Sequence, residues 1–329
     1  MLYEGEKEVA ITAVTAAASL CEQVRRERRS LAIEKPDRSP VTIADFGAQA
    51  VICQALYQAF PTDAVIGEEN SAILRSPEMT EQLAQVTHYV QTQIPSATSE
   101  SVAAWIDQGN GKVESRYWTL DPIDGTKGYI RGDQYAIALA LVEAGEVKLG
   151  VLGCPALPVD AAQPEGERGV LFVAVQGQGT TMIPLGEGKK PHPIHVASAH
   201  DAGSLRLAES VEWEHSHPEL QEAVAHAAGL TAPSLRIDSQ AKYGMVARGE
   251  AALYIRLPAP QSPERRQNTW DHAAGAIVVE EAGGRVTDMY GQPLDFSFGT
   301  KLVNNHGIIA SNGAIHQAVL AAVAQRVKD

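Results

Sequence analysis

The sequence of 329 residues contains no long apolar run, few cysteines and no excess of basic charge. No stretch approaches the roughly 18 consecutive apolar residues of a transmembrane helix, so neither a membrane span nor a membrane partner is expected. The three cysteines, Cys21, Cys53 and Cys154, are widely spaced and form no CxxC pair, which favours reduced thiols in a cytoplasmic protein. The acidic segment Met1–Glu8 lacks an apolar core, so we do not expect it to act as a secretory signal.

Acidic residues outnumber basic ones, with 40 Asp and Glu against 27 Lys and Arg, which gives a formal net charge of −13. This balance argues against binding to DNA or RNA polymers, which relies on a basic surface. A phosphate ester could approach such a protein only where metal ions or local cations reverse the field. The length and the apolar share of 44% predict a globular protein whose core needs no disulfide bonds.

Two parts of the chain differ in their hydrophobic patterns. Residues 1–190 combine long helical patterns with closely spaced strands between 117 and 175, which predicts an antiparallel sheet, and residues 155–166 form a Pro/Gly-rich loop. The helical patterns cover residues 6–29, 44–60 and 78–93. In residues 191–329 short strands alternate with helices, which is typical of an α/β unit. These helical patterns lie near residues 217–228, 240–248, 270–283 and 313–327. We therefore predict an α/β (α+β) protein with a boundary near residue 190.

The segment Asp121-Pro-Ile-Asp-Gly-Thr126 places two carboxylates three residues apart where a strand ends, and the carbonyl of Ile123 can join them. Such all-oxygen ligands suit a hard cation such as Mg²⁺ better than zinc. Gly125 allows a phosphate to approach the backbone closely, and a helix that begins with Gly-Thr would direct free N–H groups toward an anion. Taken alone, the segment also fits a capped turn with two solvated acids.

Two further acidic segments accompany this one. Gly67-Glu-Glu69 lies at a strand end, and Trp270-Asp-His-Ala-Ala-Gly275 lies at the start of an apolar helix. Each alone also fits a surface turn or an ordinary charge at a helix start. Occurring together and in this order, the three segments are much less well explained as unrelated turns and helix starts.

These three segments resemble the signatures of the inositol monophosphatase superfamily, whose members are Mg²⁺-dependent, lithium-sensitive phosphomonoesterases. Within it, the longer segment Asp121–Gly132 and the segment Ser39–Asp45 resemble the 3′(2′),5′-bisphosphate nucleotidase subgroup. The resemblance extends over residues 5 to 325. It implies a layered α-β-α-β-α fold, with an antiparallel α+β half, an α/β half and the site at their junction.

The resemblance implies metal-binding roles for five positions. Glu68, Asp121 and the carbonyl of Ile123 would hold one Mg²⁺, and Asp121, Asp124 and Asp271 would hold a second. One ion would lower the pKa of the attacking water, and the other would neutralise charge on the departing oxygen.

The resemblance also implies a catalytic pair. Thr126, hydrogen-bonded to Asp45, would orient or deprotonate the attacking water, and a third, weaker ion would lie near Glu68 and Asp45. Gly125 and Thr126 would also contact the phosphate. No covalent nucleophile is needed for this chemistry.

Residues of the second half would select the substrate. His215 would lie beside a nucleoside, Ser239 and Lys242 would bind its 5′-phosphate, and Arg256 could make a bidentate contact. Lys127 would either lie near the scissile phosphate or shape the loop, and its spacing leaves both alternatives open.

The reaction implied is the hydrolysis of adenosine 3′,5′-bisphosphate to AMP and phosphate, with its sulfated analogue, 3′-phosphoadenosine 5′-phosphosulfate, as a second substrate and Li⁺ as an inhibitor. Such an enzyme would act in sulfur metabolism. One alternative is a phosphatase for inositol phosphates or fructose 1,6-bisphosphate, against which Lys127, Ser239 and Lys242 argue. The other is a non-catalytic nucleotide sensor, against which the complete ligand set argues. The oligomeric state stays open, with a monomer favoured.

Overall fold

The computed structural model describes residues 2–27, 33–34, 40–186, 188–198, 201, 203, 205–211, 218–258 and 266–326. The helices are α1 (Glu4–Arg26), α2 (Ile43–Ala59), α3 (Thr80–Gln91), α4 (Ser99–Asp107), α5 (Thr126–Arg131), α6 (Pro218–Ala227), α7 (Ala241–Ala247), α8 (Ala273–Glu281) and α9 (His316–Arg326). The strands are β1 (Ile33–Glu34), β2 (Pro40–Val41), β3 (Ala64–Gly67), β4 (Arg116–Asp124), β5 (Ala136–Glu143), β6 (Glu146–Pro158), β7 (Arg168–Val175), β8 (Gly179–Pro184), β9 (His192–Ile194), β10 (Leu207–Glu209), β11 (Leu235–Arg236), β12 (Leu253–Arg256), β13 (Arg285–Thr287) and β14 (Ile308–Ser311).

A seven-stranded sheet with the order β3-β4-β5-β6-β7-β8-β9 occupies the first part of the chain. All of its neighbouring strands pair antiparallel except β3 and β4, which are parallel. The predicted antiparallel sheet is therefore confirmed. The parallel pairing has a consequence for the site, because it brings the acidic residues that follow β3 next to those in the last part of β4.

A five-stranded mixed sheet with the order β11-β10-β12-β14-β13 follows. Strand β10 pairs parallel with β11 and β12, whereas β14 pairs antiparallel with β12 and β13. Helices separate most of these strands along the chain, as the alternating pattern predicted.

Three apolar clusters show how the layers stack. One packs α1 to α4 on one face of the seven-stranded sheet, the second packs α7 and α8 between the two sheets, and the third packs α6 and α9 on the outer face of the five-stranded sheet. This arrangement confirms the layered α-β-α-β-α fold. Among the described helices, none is both long enough and apolar enough to span a bilayer.

The structure also differs from the sequence-based prediction in places. Residues 155–166 do not all form a loop, because β6 continues to Pro158 across a register shift between Cys154 and Pro158. The periodicity did not reveal α4, β8, β13 or β14, which are short. Strand β9 at His192–Ile194 belongs to the seven-stranded sheet, and the boundary near residue 190 stays a prediction.

A glycine sets the distance between the seven-stranded sheet and α8. A Cβ atom at Gly150 in β6 would lie 2.5 Å from Ile277 Cγ2 and 3.0 Å from the Ala274 carbonyl oxygen. Helix α8 can therefore approach the sheet only because residue 150 has no side chain. This contact matters for the site, because Asp271 lies just before α8.

We predict that Gly150→Ala lowers the free energy of unfolding by about 1–3 kcal/mol, since α8 would have to move away from β6. Denaturant-induced unfolding measures this change. Gly5→Ala is the matched control, because a Cβ atom there meets nothing within 4 Å, and its stability should stay unchanged or rise slightly. Wild-type stability of Gly150→Ala would contradict the close packing of α8 on the sheet.

Candidate active site

The end of β4 carries the first predicted metal ligands. Asp121 and Ile123 are buried, and the pairing of β4 with β5 shifts register between Asp121 and Asp124. The irregularity lets residues on both sides of Pro122 leave the regular alternation of a strand. Gly125 then adopts a left-handed conformation with a φ of 86°, and α5 begins at Thr126 as the Gly-Thr pair suggested.

The structure brings Thr126 and Asp45 together although 81 positions separate them. The Thr126 hydroxyl lies 3.3 Å from Asp45 Oδ1 and 3.1 Å from the Ile123 carbonyl oxygen, so its single proton has two acceptors. The other carboxylate oxygen of Asp45 accepts hydrogen bonds from the backbone N–H (2.8 Å) and the hydroxyl (2.6 Å) of Thr42. This capping box at the start of α2 fixes the carboxylate that faces Thr126.

Glu68 directly follows β3 and lies beside the last part of β4, with which β3 pairs. Its backbone N–H donates to the Leu120 carbonyl oxygen at 3.1 Å, which aligns it with Asp121 across the parallel pair. The preceding residue, Gly67, donates to the Gly109 carbonyl oxygen at 2.7 Å. The backbone around Glu68 is therefore held on two sides.

Asp124 and Asp271 are held by residues of the second part of the chain. Asp124 Oδ2 accepts the backbone N–H of Gln240 at 2.5 Å. Asp271 Oδ2 accepts the Asn268 amide at 3.3 Å and lies 3.7 Å from Arg256 Nη1. The predicted ligands of the two halves thus meet where the seven-stranded sheet faces α7 and α8.

Lys242 is buried in α7, close to this group of carboxylates. Its ammonium donates to the Ile237 carbonyl oxygen at 3.3 Å and lies 5.2 Å from the centre of the Tyr254 ring. Burial lowers the pKa of Lys242 to about 8, against the raising effect of Asp124 and together with the lowering effect of Arg256. Ser239, three residues earlier, has a φ of 69° and packs against Gly125, which links the segment before α7 to the end of β4.

Burial and mutual repulsion together raise the pKa values of two of the carboxylates. Burial, followed by the negative charges of Glu68, Asp124 and Asp271, raises the pKa of Asp121 well above its ordinary value. Burial and then Asp271 raise the pKa of Asp124 to about 7, although Lys242 and Arg256 act in the opposite direction. The site therefore accumulates negative charge that the described side chains compensate only in part.

The surroundings of the Asp121 carboxylate indicate whether these residues suit a cation. Its Oδ1 atom is buried and has no hydrogen-bond partner. A buried carboxylate oxygen without a partner is costly unless a cation or a proton satisfies it. At the same time, no three His, Cys, Asp or Glu side chains form a ready-made metal site within the described ranges. Hydrogen bonds hold Asp124 to the Gln240 backbone and Asp271 to the Asn268 amide.

The remaining predicted residues are placed as follows. Arg256 lies at the end of β12 beside Asp271, and half-buried Lys127 lies in the first turn of α5. His215 lies outside the described residues. A cavity of about 1020 Å³ at the far end of α5 is lined in part by Arg25, Arg168 and Asp238, and none of the predicted metal ligands lines it.

Two glutamines at the site were missed by the sequence analysis. Gln240 also donates its side-chain amide to the Trp270 carbonyl oxygen at 2.9 Å and so connects the segments that carry Asp124 and Asp271. Gln49 is buried completely in α2, one turn after Asp45, and contacts Glu69. The apolar neighbours of Gln49 in the sequence, Ala48, Ala50 and Val51, were a signal that its amide is buried.

The fold and these acidic segments place the chain in a known class of protein. Residues 5–328 match the inositol monophosphatase family, and the chain belongs to that family. Metal dependence is typical of its members. An IMPase of Thermotoga maritima shares the fold with a TM-score of 0.65 at 23% identity, over 98% of this chain and 97% of that one.

More similar relatives belong to one group within this class. The chain is 42% identical to a 3′(2′),5′-bisphosphate nucleotidase of Schizosaccharomyces pombe, over 98% of this chain and 96% of the relative. It is 41% identical to a protein of the same name from Emericella nidulans, over the full length of both.

We predict that Asp121→Asn raises the unfolding temperature of the metal-free protein by about 1–2 °C, or roughly 1 kcal/mol for a chain of this size. Because the native carboxyl has the higher pKa, it retains a proton that the unfolded chain releases at lower pH. Stability of the metal-free wild type should therefore fall as pH rises above the ordinary carboxyl range, and the variant should lose this contribution.

Thermal unfolding in EDTA near pH 8 tests this prediction. Asp63→Asn is the control, for which we expect a lower unfolding temperature. Asp63 accepts hydrogen bonds from Arg116 (2.8 Å) and Trp118 (3.1 Å), and loss of the carboxylate should destabilise the protein. A lower unfolding temperature for Asp121→Asn than for the wild type would contradict the repulsion argument.

Proposed function

We propose that this chain is a Mg²⁺-dependent phosphomonoesterase that converts adenosine 3′,5′-bisphosphate and water to AMP and phosphate. The observation that carries the proposal is the proximity of two opposite kinds of group. Asp124 feels the negative charge of Asp271 and also the positive charges of Lys242 and Arg256. Carboxylates can hold cations around one phosphate, while the adjacent lysine and arginine can bind a second. This arrangement suits a substrate with two phosphate groups, as the names of the relatives suggest.

Glu68, Asp121, Asp124, Asp271 and the carbonyl of Ile123 are the proposed Mg²⁺ ligands. Their oxygen-only chemistry suits Mg²⁺, and the unpartnered Oδ1 of Asp121 offers a site for a cation. Bound Mg²⁺ would polarise the phosphate and lower the pKa of the attacking water. Two ions, with a third and weaker one near Asp45, and inhibition by Li⁺ are part of the proposal.

The proposed proton pathway uses Thr126 and Asp45. Asp45 Oδ1 accepts the Thr126 hydroxyl, and the other Asp45 oxygen is already held by two donors from Thr42. The Thr126 oxygen can therefore accept a hydrogen bond from the attacking water and pass its proton to Asp45. Attack forms a new P–O bond, the bond between phosphorus and the 3′-oxygen breaks, and the 3′-oxygen leaves with a proton from solvent.

The proposed substrate contacts come from residues close to the carboxylates. Lys242 supplies a positive charge that burial keeps poorly solvated, which strengthens its attraction to an anion. Arg256 presents a planar guanidinium suited to a phosphate, and Ser239 contributes a hydroxyl from a strained backbone position. Gly125 leaves room for the scissile phosphate, and His215 is proposed to lie beside the adenosine.

Phosphate release from adenosine 3′,5′-bisphosphate with and without Mg²⁺ tests the proposal. Inositol 1-phosphate and 5′-AMP serve as parallel substrates, and Asp121→Asn serves as the inactive control. We expect Mg²⁺-dependent release from the bisphosphate in clear excess over the other two, with inhibition by Li⁺. Preferential release from inositol 1-phosphate would overturn the substrate, and nucleotide binding without any release would indicate a sensor.

Lys242→Met should raise KM for adenosine 3′,5′-bisphosphate by about 10- to 100-fold, the loss expected for one or two charge-assisted contacts. Methionine keeps the volume of the buried aliphatic chain, so that the change removes mainly the charge. The KM for adenosine 3′-phosphate, which has no 5′-phosphate, should change much less.

The matched control is Lys189→Ala, because Lys189 forms only an exposed ion pair with Glu167 at 2.6 Å. It should leave both KM values unchanged. An equal rise of both KM values in Lys242→Met would exclude a specific contact between Lys242 and the 5′-phosphate.

A further inference from the structure

The buried amide of Gln49 makes hydrogen bonds with both backbone groups of a single residue, Glu69. Gln49 Oε1 accepts the Glu69 N–H at 3.0 Å, and Gln49 Nε2 donates to the Glu69 carbonyl oxygen at 2.5 Å. Nε2 also donates to the Ile106 carbonyl oxygen at 2.9 Å. Reversing the amide would turn Oε1 toward two carbonyl oxygens and the NH₂ group toward an N–H, so the surrounding backbone determines its orientation.

Two glycines provide the space for this amide. A Cβ atom at Gly67 would lie 2.7 Å from Gln49 Oε1, and one at Gly109 would collide with Nε2. The Gly67 N–H also donates a hydrogen bond to the Gly109 carbonyl oxygen at 2.7 Å. The two glycines therefore leave room beside the acidic pair Glu68-Glu69 for the Gln49 side chain of α2.

Three consecutive backbone N–H groups fix the segment that carries Glu68. Those of Gly67 and Glu68 donate to the carbonyl oxygens of Gly109 and Leu120, and that of Glu69 donates to the Gln49 side chain. Gln49 is the only side chain among these three acceptors. Without it, the residue after Glu68 would lose the two hydrogen bonds that stop the backbone from turning away from β4.

Helix α2 connects this contact to the proposed catalytic pair. Gln49 lies one helical turn after Asp45, so both side chains project from neighbouring positions of one rigid element. Asp45 contacts Thr126, while Gln49 holds the backbone next to Glu68. A single helix thereby sets the distance between the proton acceptor and a proposed metal ligand.

We infer that Gln49 is a positioning residue for the metal centre: its buried amide fixes the Glu69 backbone and thereby the Glu68 carboxylate relative to Asp45 and Asp121. This inference rests on the metal site of the proposed function. It predicts that the affinity for a divalent cation depends on a side chain that does not contact the cation. Groups of this kind typically change metal affinity by about 10- to 100-fold.

Two substitutions of Gln49 test the inference, and they remove different numbers of its hydrogen bonds. Gln49→Met keeps the length of the side chain but removes the amide that bonds to the Glu69 N–H and to the Glu69 and Ile106 carbonyl oxygens. Gln49→Glu keeps the shape and the acceptor for the Glu69 N–H, and it serves where Gln49→Met fails to fold. Thr180→Val is the matched control, because it removes a buried hydrogen bond of 2.8 Å to the Val278 carbonyl oxygen without contacting the Glu68 segment.

The primary readout is the dissociation constant of Mn²⁺ alone, measured without substrate by electron paramagnetic resonance, with unfolding temperatures in EDTA measured in parallel. We expect Mn²⁺ to bind about 10- to 100-fold more weakly to both Gln49 variants, and with unchanged affinity to Thr180→Val despite its lower stability. Phosphate release by Gln49→Glu should recover as the Mg²⁺ concentration rises.

Two outcomes separate failure of the inference from failure of the proposed function. Wild-type Mn²⁺ affinity in both Gln49 variants, or an equal loss in Thr180→Val, would overturn the role of Gln49. Absence of Mn²⁺ binding to the wild-type protein would instead overturn the metal centre itself, and with it the basis of this inference.

Discussion

Repulsion among buried carboxylates is the constraint around which the site is built. Asp121 and Asp124 lie at the end of one strand, and both lie within the electrostatic influence of Asp271. Holding such charges together in a poorly solvated place is unfavourable unless a cation or a proton compensates them. Favourable packing elsewhere in the folded structure must therefore offset the unfavourable energy of this arrangement. In a protein with a net charge of −13, a cation would compensate these charges and would also permit the proposed phosphate substrate to approach.

The layered fold resists this repulsion with backbone contacts. Parallel pairing of β3 with β4 places Gly67 opposite Leu120, so that Glu68 and Asp121 are the next residues of the two strands. The close approach of α8 to Gly150 places the start of that helix against the seven-stranded sheet. Gln240 then connects the two sides, with its backbone N–H on Asp124 and its side chain on the residue before Asp271. The geometry of the acids thus depends on both sheets and the helices between them.

Two positively charged side chains lie beside the carboxylates. Lys242 is buried against Tyr254 of β12, and Arg256 lies at the end of the same strand. Because these groups belong to the second sheet and its helices, their proximity to the carboxylates exists only where the two parts of the chain meet. The junction therefore places carboxylates and positively charged side chains next to each other, which is the arrangement on which the proposed binding of a substrate with two phosphate groups rests.

Periodicity and spacing in the sequence predicted the main helices, the antiparallel sheet and the acidic segments, because these depend on contacts within short stretches of chain. The proximity of Asp121 to Asp124 is local in this sense. Only the tertiary structure decided that Asp124 would meet Gln240, 116 positions away, and that Gln49 would hold Glu69. Hydrogen bonds between such distant residues form because the layers pack together, and no local propensity of the sequence encodes them.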